Sequence, residues 1–144
     1  MTVNVYTITD AKSPKVHDAK VIYALEVQTS KGPADVTREE KIEATANEAA
    51  LLAVVKALGH ITMPCELHIY TESRWVASGF GWLEGWKKND WKTRKGKDVA
   101  HKKTWQQLDE LLQGHEVHIH CQEQHSFRKW MKMEVERKRG KNHV

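Results

Sequence analysis

Residues 45–72 read TANEAALLAVVKALGHITMPCELHIYTE, and the fold class follows from how this stretch divides. Thr45 followed three positions later by Glu48 is a capping box, in which the hydroxyl takes a free backbone N–H of the first turn while the carboxylate reaches back. The apolar run through Leu58 is helical, and Gly59 is a natural stop. Residues 65–71 then switch to a period of two, with Cys65, Leu67, Ile69 and Thr71 on one face. A strand reached through a helical crossover lies parallel to its neighbour, so the unit predicts an α/β sheet with parallel strands.

Towards the N-terminus, residues 3–9 alternate, with Val3, Val5, Thr7 and Thr9 on one face and Tyr6 and Ile8 on the other. That is a strand buried on both sides, ending at Asp10. Residues 11–20 read as a polar loop around Ser13-Pro14. Residues 21–28 form a second strand, Ser30-Lys31-Gly32-Pro33 is turn chemistry, and a more polar third strand runs over about 35–43. Towards the C-terminus, Trp75, Val76, Phe80 and Leu83 mark a helix over about 73–86. Trp105, Leu108, Leu111 and Leu112 mark another over about 99–113. Val117, Ile119 and Cys121 alternate in a fifth strand, and a last helix runs over about 127–138. The order β-β-β-α-β-α-α-β-α predicts one α/β domain over residues 1–144. Its five-stranded mixed sheet, three antiparallel strands and then two parallel ones, is flanked by helices.

The 144 residues are 40% hydrophobic and contain no apolar run near the ~18–20 residues of a membrane span. The first residues lack a signal-peptide pattern. Cys65 and Cys121 sit in strand-like alternation without metal-ligand spacing, and read as free thiols in a reducing cytoplasm. A membrane protein and a disulfide scaffold are both excluded on this reading, and a monomer is the default. The formal net charge is +4, but it is unevenly placed. Residues 86–103 hold Lys87, Lys88, Lys92, Arg94, Lys95, Lys97, Lys102 and Lys103 against only Asp90 and Asp98. A second cluster comprises Arg128, Lys129, Lys132, Arg137, Lys138, Arg139 and Lys141. A bare lysine run would be a solvated face. Interleaving with Trp82, Trp86 and Trp91 makes it the footprint of a polyanion partner, nucleic acid above all.

Ser73-Arg74-Trp75-Val76, continuing through Trp82-Leu83-Glu84-Gly85-Trp86-Lys87-Lys88-Asn89-Asp90-Trp91-Lys92-Thr93, resembles the ribonuclease H type 1 family. It is similar to that family's second helix running into its basic protrusion, here about 86–103. Trp105-Gln106-Gln107-Leu108-Asp109 is similar to the next helix. The resemblance implies an RNase H-like fold, an RNA–DNA hybrid or other nucleic acid duplex as partner, and hydrolysis of the RNA strand. It also implies two divalent ions, Mg²⁺ or Mn²⁺, held by four carboxylates. Two ions roughly 3.5–4 Å apart would activate the water on one side of phosphorus and relieve charge on the leaving oxygen.

The resemblance places the first acid at Asp10, in Ile8-Thr9-Asp10, and the third at Glu72, in Thr71-Glu72-Ser73, one methylene longer than the family's aspartate. The second falls on Ala50, so that carboxylate is missing. Glu48 lies ~200° around the helix from it and already has a capping role, which makes it a poor substitute. Glu134 is the nearest candidate for the fourth acid, and His125 matches a loop histidine that could move protons. Metal ligands on this reading are Asp10, Glu72 and Glu134, and the catalytic set adds His125. Asn47 matches a reader of the hybrid and Arg74 takes the place of another, a polar one, while Trp82, Trp86, Lys87, Lys88, Trp91, Lys92, Arg94 and Lys95 match the grip on its DNA strand. Two functions stay open: a slow RNase H endonuclease working with a reduced acid set, and a degenerate module that holds hybrid or duplex without cutting. His115, His118 and His120 suggest metal ligands, yet nothing else in the sequence completes a zinc site, so a polar strand face is the reading.

Overall fold

The structure, a computed structural model, describes residues 1–140. From the second basic cluster, the side chains of Arg137, Lys138 and Arg139 and all of Lys141 lie outside the described residues. Among the described residues nine elements follow in the expected order: β1 (Thr2–Thr9), β2 (His17–Thr29), β3 (Gly32–Ala44), α1 (Ala46–Leu58), β4 (Glu66–Thr71), α2 (Arg74–Lys88), α3 (Lys102–Leu112), β5 (Glu116–Cys121) and α4 (Arg128–Gly140). The sheet order is β3-β2-β1-β4-β5. β1 pairs antiparallel with β2 and parallel with β4, while β2–β3 is antiparallel and β4–β5 parallel. No helix is long and apolar enough to cross a membrane among the described residues.

β1 is the central strand and is buried on both faces, as its two-sided alternation requires. Val3 and Val5 join Leu51, Val54, Leu58, Leu67 and Ile69 beneath α1, α2 and α3. Tyr6 and Ile8 pack on the opposite face with Ile22, Ala24 and Met131 of α4. β2 begins at His17, four residues before its apolar run. His17, Asp18, Ala19 and Lys20 pair with Ala44, Glu43, Ile42 and Lys41 of β3. The polar side chains of this end had concealed a strand. Lys20 is nonetheless buried, with its ammonium 3.1 Å from Glu39 Oε1 and donating to the Glu134 carbonyl at 3.3 Å.

Trp105 of α3 is fully buried, with Trp75, Phe80 and Trp86 of α2 around it at ring-centroid distances of 5.4, 6.2 and 5.3 Å. α2 approaches α3 this closely because Gly79 has no side chain. A Cβ there would meet Trp105 Cη2 at 2.2 Å, whereas one at Gly81 would meet open space. Overpacking against a buried indole that cannot retreat costs about 1–3 kcal/mol. Gly79→Ala is therefore expected to lower the urea midpoint despite alanine's better helix propensity. Gly81→Ala, on the same helix, should be neutral or stabilising by up to ~1 kcal/mol.

Candidate active site

A cleft opens where the C-terminal ends of β1 and β4 meet the first turns of α1. Ile8, Asn47, Ala50, Glu72 and Ser73 are among its lining residues. Its position follows from the topology, since the strand ends next to a crossover helix form the natural crevice of an open α/β sheet. α1 is capped by Thr45, whose hydroxyl accepts from Glu48 N at 3.2 Å. The Glu48 carboxylate turns towards α3, with Oε2 3.6 Å from His101 Nδ1. The helix thus presents Ala50 to the cleft, in the position the family resemblance assigns to a missing acid.

The parallel register decides which β1 residue faces the cleft. Val3 lies beside Leu67 and Tyr6 beside Tyr70, and two more steps bring Ile8 level with Glu72. Asp10 lies two residues further on, about 6.6 Å along the strand. It lines an adjoining recess with Thr9, Lys12, Val135 and Glu136. There Asp10 Oδ1 accepts from Lys20 N at 2.7 Å, and Asp10 N donates to Lys20 O at 3.2 Å, closing the β1–β2 connection. Asp10 and Glu72 thus line neighbouring recesses that share Thr9.

Glu72 is held by an arginine that the sequence reading did not single out for the site. Arg128, at the start of α4, donates from Nε to Oε2 and from Nη2 to Oε1, both at 3.0 Å. Lys132 Nζ stands 3.8 Å from the same Oε1. A two-pronged guanidinium–carboxylate pair is among the stronger charge-assisted contacts, and it raises Arg128 further above its already high ordinary range. Glu134, the candidate fourth acid, is partly buried on α4 three residues after the buried Met131, and lines a recess with Trp130, Lys132, Met133 and Glu136. Its backbone carbonyl takes the Lys20 ammonium. The cleft lining holds one carboxylate, Glu72, engaged by Arg128, with the Asn47 amide and the hydroxyls of Thr9, Thr71 and Ser73 beside it. Ile8 and Ala50 offer no side-chain oxygen, so the lining of this cleft alone lacks the four carboxylates that the resemblance implies, and Asp10 is the next carboxylate, in the adjoining recess.

Of the hybrid-reading candidates, Asn47 lines the cleft and Arg74 is exposed one residue beyond Ser73, at the start of α2. The basic segment over about 86–103, the candidate handle, begins at the other end of α2. Trp86 and Trp91 are half-buried against the main core, 6.2 Å apart, and Trp82 alone of the three is well exposed. Asp90 and Trp91 adopt positive φ, and Trp91 N donates to Trp86 O at 2.7 Å, which folds the loop back on the helix. Lys92 is paired with Asp98 at 2.6 Å, and Lys87 with Glu84 and Asp109, each at 3.4 Å. Lys88, Arg94 and Lys95 are exposed and make no ion pair among the described residues.

His125 stacks on Tyr6 at 4.3 Å, and its Nδ1 accepts from Phe127 N at 3.2 Å. Burial lowers its pKa from the ordinary 6.5 to about 4, against a smaller upward pull from Glu72. The imidazole is thus neutral at physiological pH. Between these two values the unfolded chain holds the proton and the folded chain does not, so acidification favours unfolding across that window. His125→Phe keeps the stacking surface without a titrating group. Its urea-derived stability should fall less than that of the unmodified chain between pH 6.5 and 4.

Comparison with known proteins bears on this geometry. Residues 3–129 match the family model described as RNase H. The chain is similar to a ribonuclease H of Brucella ovis, with 44% identity over 79 residues, 54% of this chain and 51% of that one. It thus spans about half the length of the curated relatives it matches. In fold it is similar to LC9-RNase H1, a type 1 RNase H with the type 2 active-site motif, at a TM-score of 0.70 and 20% identity over 87% of this chain and 64% of that one. It is also similar to the foamy viral protease–reverse transcriptase in complex with dsDNA, at 0.68 and 18% over 93% and 89%. The family match runs from β1 to the start of α4, through every strand of the sheet, and the chain belongs to the RNase H family.

Proposed function

We propose that this chain acts on RNA–DNA hybrids as a ribonuclease H-type domain, holding the hybrid firmly and hydrolysing its RNA strand slowly. The observation that carries the reading is the span of α2. Its first turn, with Arg74, lies at the cleft beside Asn47 and Glu72, and its last turn carries Lys87 and Lys88 into the handle. A helix of 15 residues is about 22 Å long, enough to reach from one strand of a duplex to the other. One strand would then lie over the cleft and its partner along the exposed cations. The curated relatives are ribonucleases H, which supports the same substrate class.

Within this reading Asn47 meets the RNA backbone, where a 2′-hydroxyl acts as both donor and acceptor. Lys88, Arg94 and Lys95 neutralise phosphates of the other strand. Glu72, with Asp10 in the adjoining recess, is the carboxylate on which residual hydrolysis rests, and the slow rate follows from Ala50 standing where a third carboxylate would be needed. The family's divalent ions, Mg²⁺ or Mn²⁺, would have Glu72 and Asp10 as carboxylate ligands, and with Ala50 in place of a third the pair would be incompletely held. Two free cysteines suit a reducing compartment, and we place the protein in the cytoplasm.

A second reading is favoured by the Arg128–Glu72 pair, which occupies both oxygens of that carboxylate. It is a module that holds the hybrid without cutting. Incubation of a labelled hybrid with Mg²⁺ and separately with Mn²⁺, beside a salt titration of binding, decides between them. Slow cleavage abolished by Glu72→Gln is expected on the first reading. Salt-sensitive binding with no cleavage would leave the second, and no binding would overturn both. Replacing Lys88, Arg94 and Lys95 together by alanine should weaken binding whatever the sequence, and lower the salt slope by about one for each phosphate no longer neutralised.

A further inference from the structure

β4 and β5 run parallel and in register, with Glu66 beside Glu116, His68 beside His118 and Tyr70 beside His120. Period-two alternation sends all six side chains to one face of the sheet, opposite Leu67 and Ile69, which lie in the core under α1–α3. α4 packs on this face over Tyr6, Ile8, Ile22 and Ala24 of β1 and β2. The strip on β4 and β5 keeps solvent access, with the His68 side chain 23% and the His118 side chain 45% exposed.

The polar groups of the strip converge. His68 Nε2 lies 2.6 Å from Glu66 Oε2, and its Nδ1 lies 2.9 Å from His120 Nε2. The His68 and His118 rings stack at 4.7 Å with 10° between their planes. One ligand atom each from Glu66, His68 and His118 falls within 4.8 Å of the others. Glu116 and Glu123 stand behind this set. The first is 3.0 Å from His118 Nε2, and the second is 3.1 and 3.2 Å from His120 Nδ1. Carboxylates in that position fix ring orientation and raise ligand basicity at metal-binding histidines.

We propose that Glu66, His68 and His118 form a binding site for a late first-row divalent ion, Zn²⁺ first among them, on the open face of β4 and β5. Ion–nitrogen distances near 2.0–2.1 Å in a tetrahedron put ligand atoms ~3.3 Å apart, so the group closes on an ion once one of the two stacked rings turns to aim its in-plane lone pair at it. Imidazoles with a carboxylate suit Zn²⁺, Ni²⁺ and Cu²⁺ and select against Mg²⁺, which prefers all-oxygen ligands. The site is therefore chemically separate from the cleft at Glu72 and does not depend on the nuclease reading. A bound ion would pin β5, an edge strand, to β4, and its fourth position is open to water or to His120. The β5 histidines stand out in the sequence without a partner. Their partners come from a strand some fifty residues away, aligned only by the parallel register.

The test is calorimetric titration of Zn²⁺ into the metal-stripped full chain, with Co²⁺ absorption as a second readout and Mg²⁺ as the competitor. One ion per chain is expected, undisturbed by Mg²⁺, with a tetrahedral cobalt spectrum and a Tm that rises with Zn²⁺ concentration. Affinity should fall at least tenfold in His68→Gln and in His118→Gln, and stay unchanged in His17→Gln. If His68→Gln does not fold, the double variant Glu66→Gln, His118→Gln takes its place, since both residues are the more exposed. Absence of stoichiometric binding would overturn the proposal. So would binding that survives loss of His68 and His118.

Discussion

The register of β1 against its two neighbours is the constraint on which the rest depends. β1 is covered on both faces, so a slip of one residue would exchange its entire Val3/Val5 set for its Tyr6/Ile8 set. Both sets are large, apolar and fitted to different helices, and the pairing is therefore fixed. Once fixed, it leaves no freedom about what reaches the cleft. Ile8 arrives level with Glu72, and Asp10 passes beyond it to close the turn with Lys20. A displacement of two residues keeps the face and changes the chemistry.

The same constraint explains why α4 begins with an arginine on Glu72. A half-buried carboxylate at the mouth of a largely apolar cleft needs a counter-charge. Arg128 supplies it with two parallel hydrogen bonds, while Met131, one turn later, seats the helix on Tyr6 and Ile22. Lys20 ties α4 down further along by its bond to the Glu134 carbonyl. The charges at this end of the sheet are thus spent on holding the last helix in place. In the family that the sequence resembles, carboxylates here hold ions.

Much of the fold was legible because its signals are local. The switch from a 3.6-residue to a two-residue period between Leu58 and Cys65 fixed the crossover, and the helix stops at Gly59 and Gly114 fixed the boundaries. The early part of β2 was not legible, because His17, Asp18 and Lys20 look like loop residues until β3 is laid beside them. The candidate site was legible only where one element decides it. Ala50 in place of a carboxylate, Asn47 at the start of α1 and Glu72 at the end of β4 all come from short motifs. Whether Ile8 or Asp10 faces Glu72, and that Arg128 reaches it, depend on pairings across the sheet that no single segment encodes. His125 was placed in the loop correctly, but its stacking on Tyr6, and hence its neutrality, came from a strand over a hundred residues earlier.

The run of indoles from the buried Trp105 through Trp86 to Trp91 has a mechanical meaning. It roots the basic loop in the hydrophobic interior, so the loop behaves as a cantilever and not as a tether. A tethered loop would give up much of its freedom on gripping a polyanion, and that ordering would subtract from affinity. A rooted one has surrendered it already, during folding. The aim of its exposed cations is thereby set by the packing of α2 on α3, and on the proposed hybrid-binding reading a loosened core would blunt recognition at the surface before it unfolded the chain.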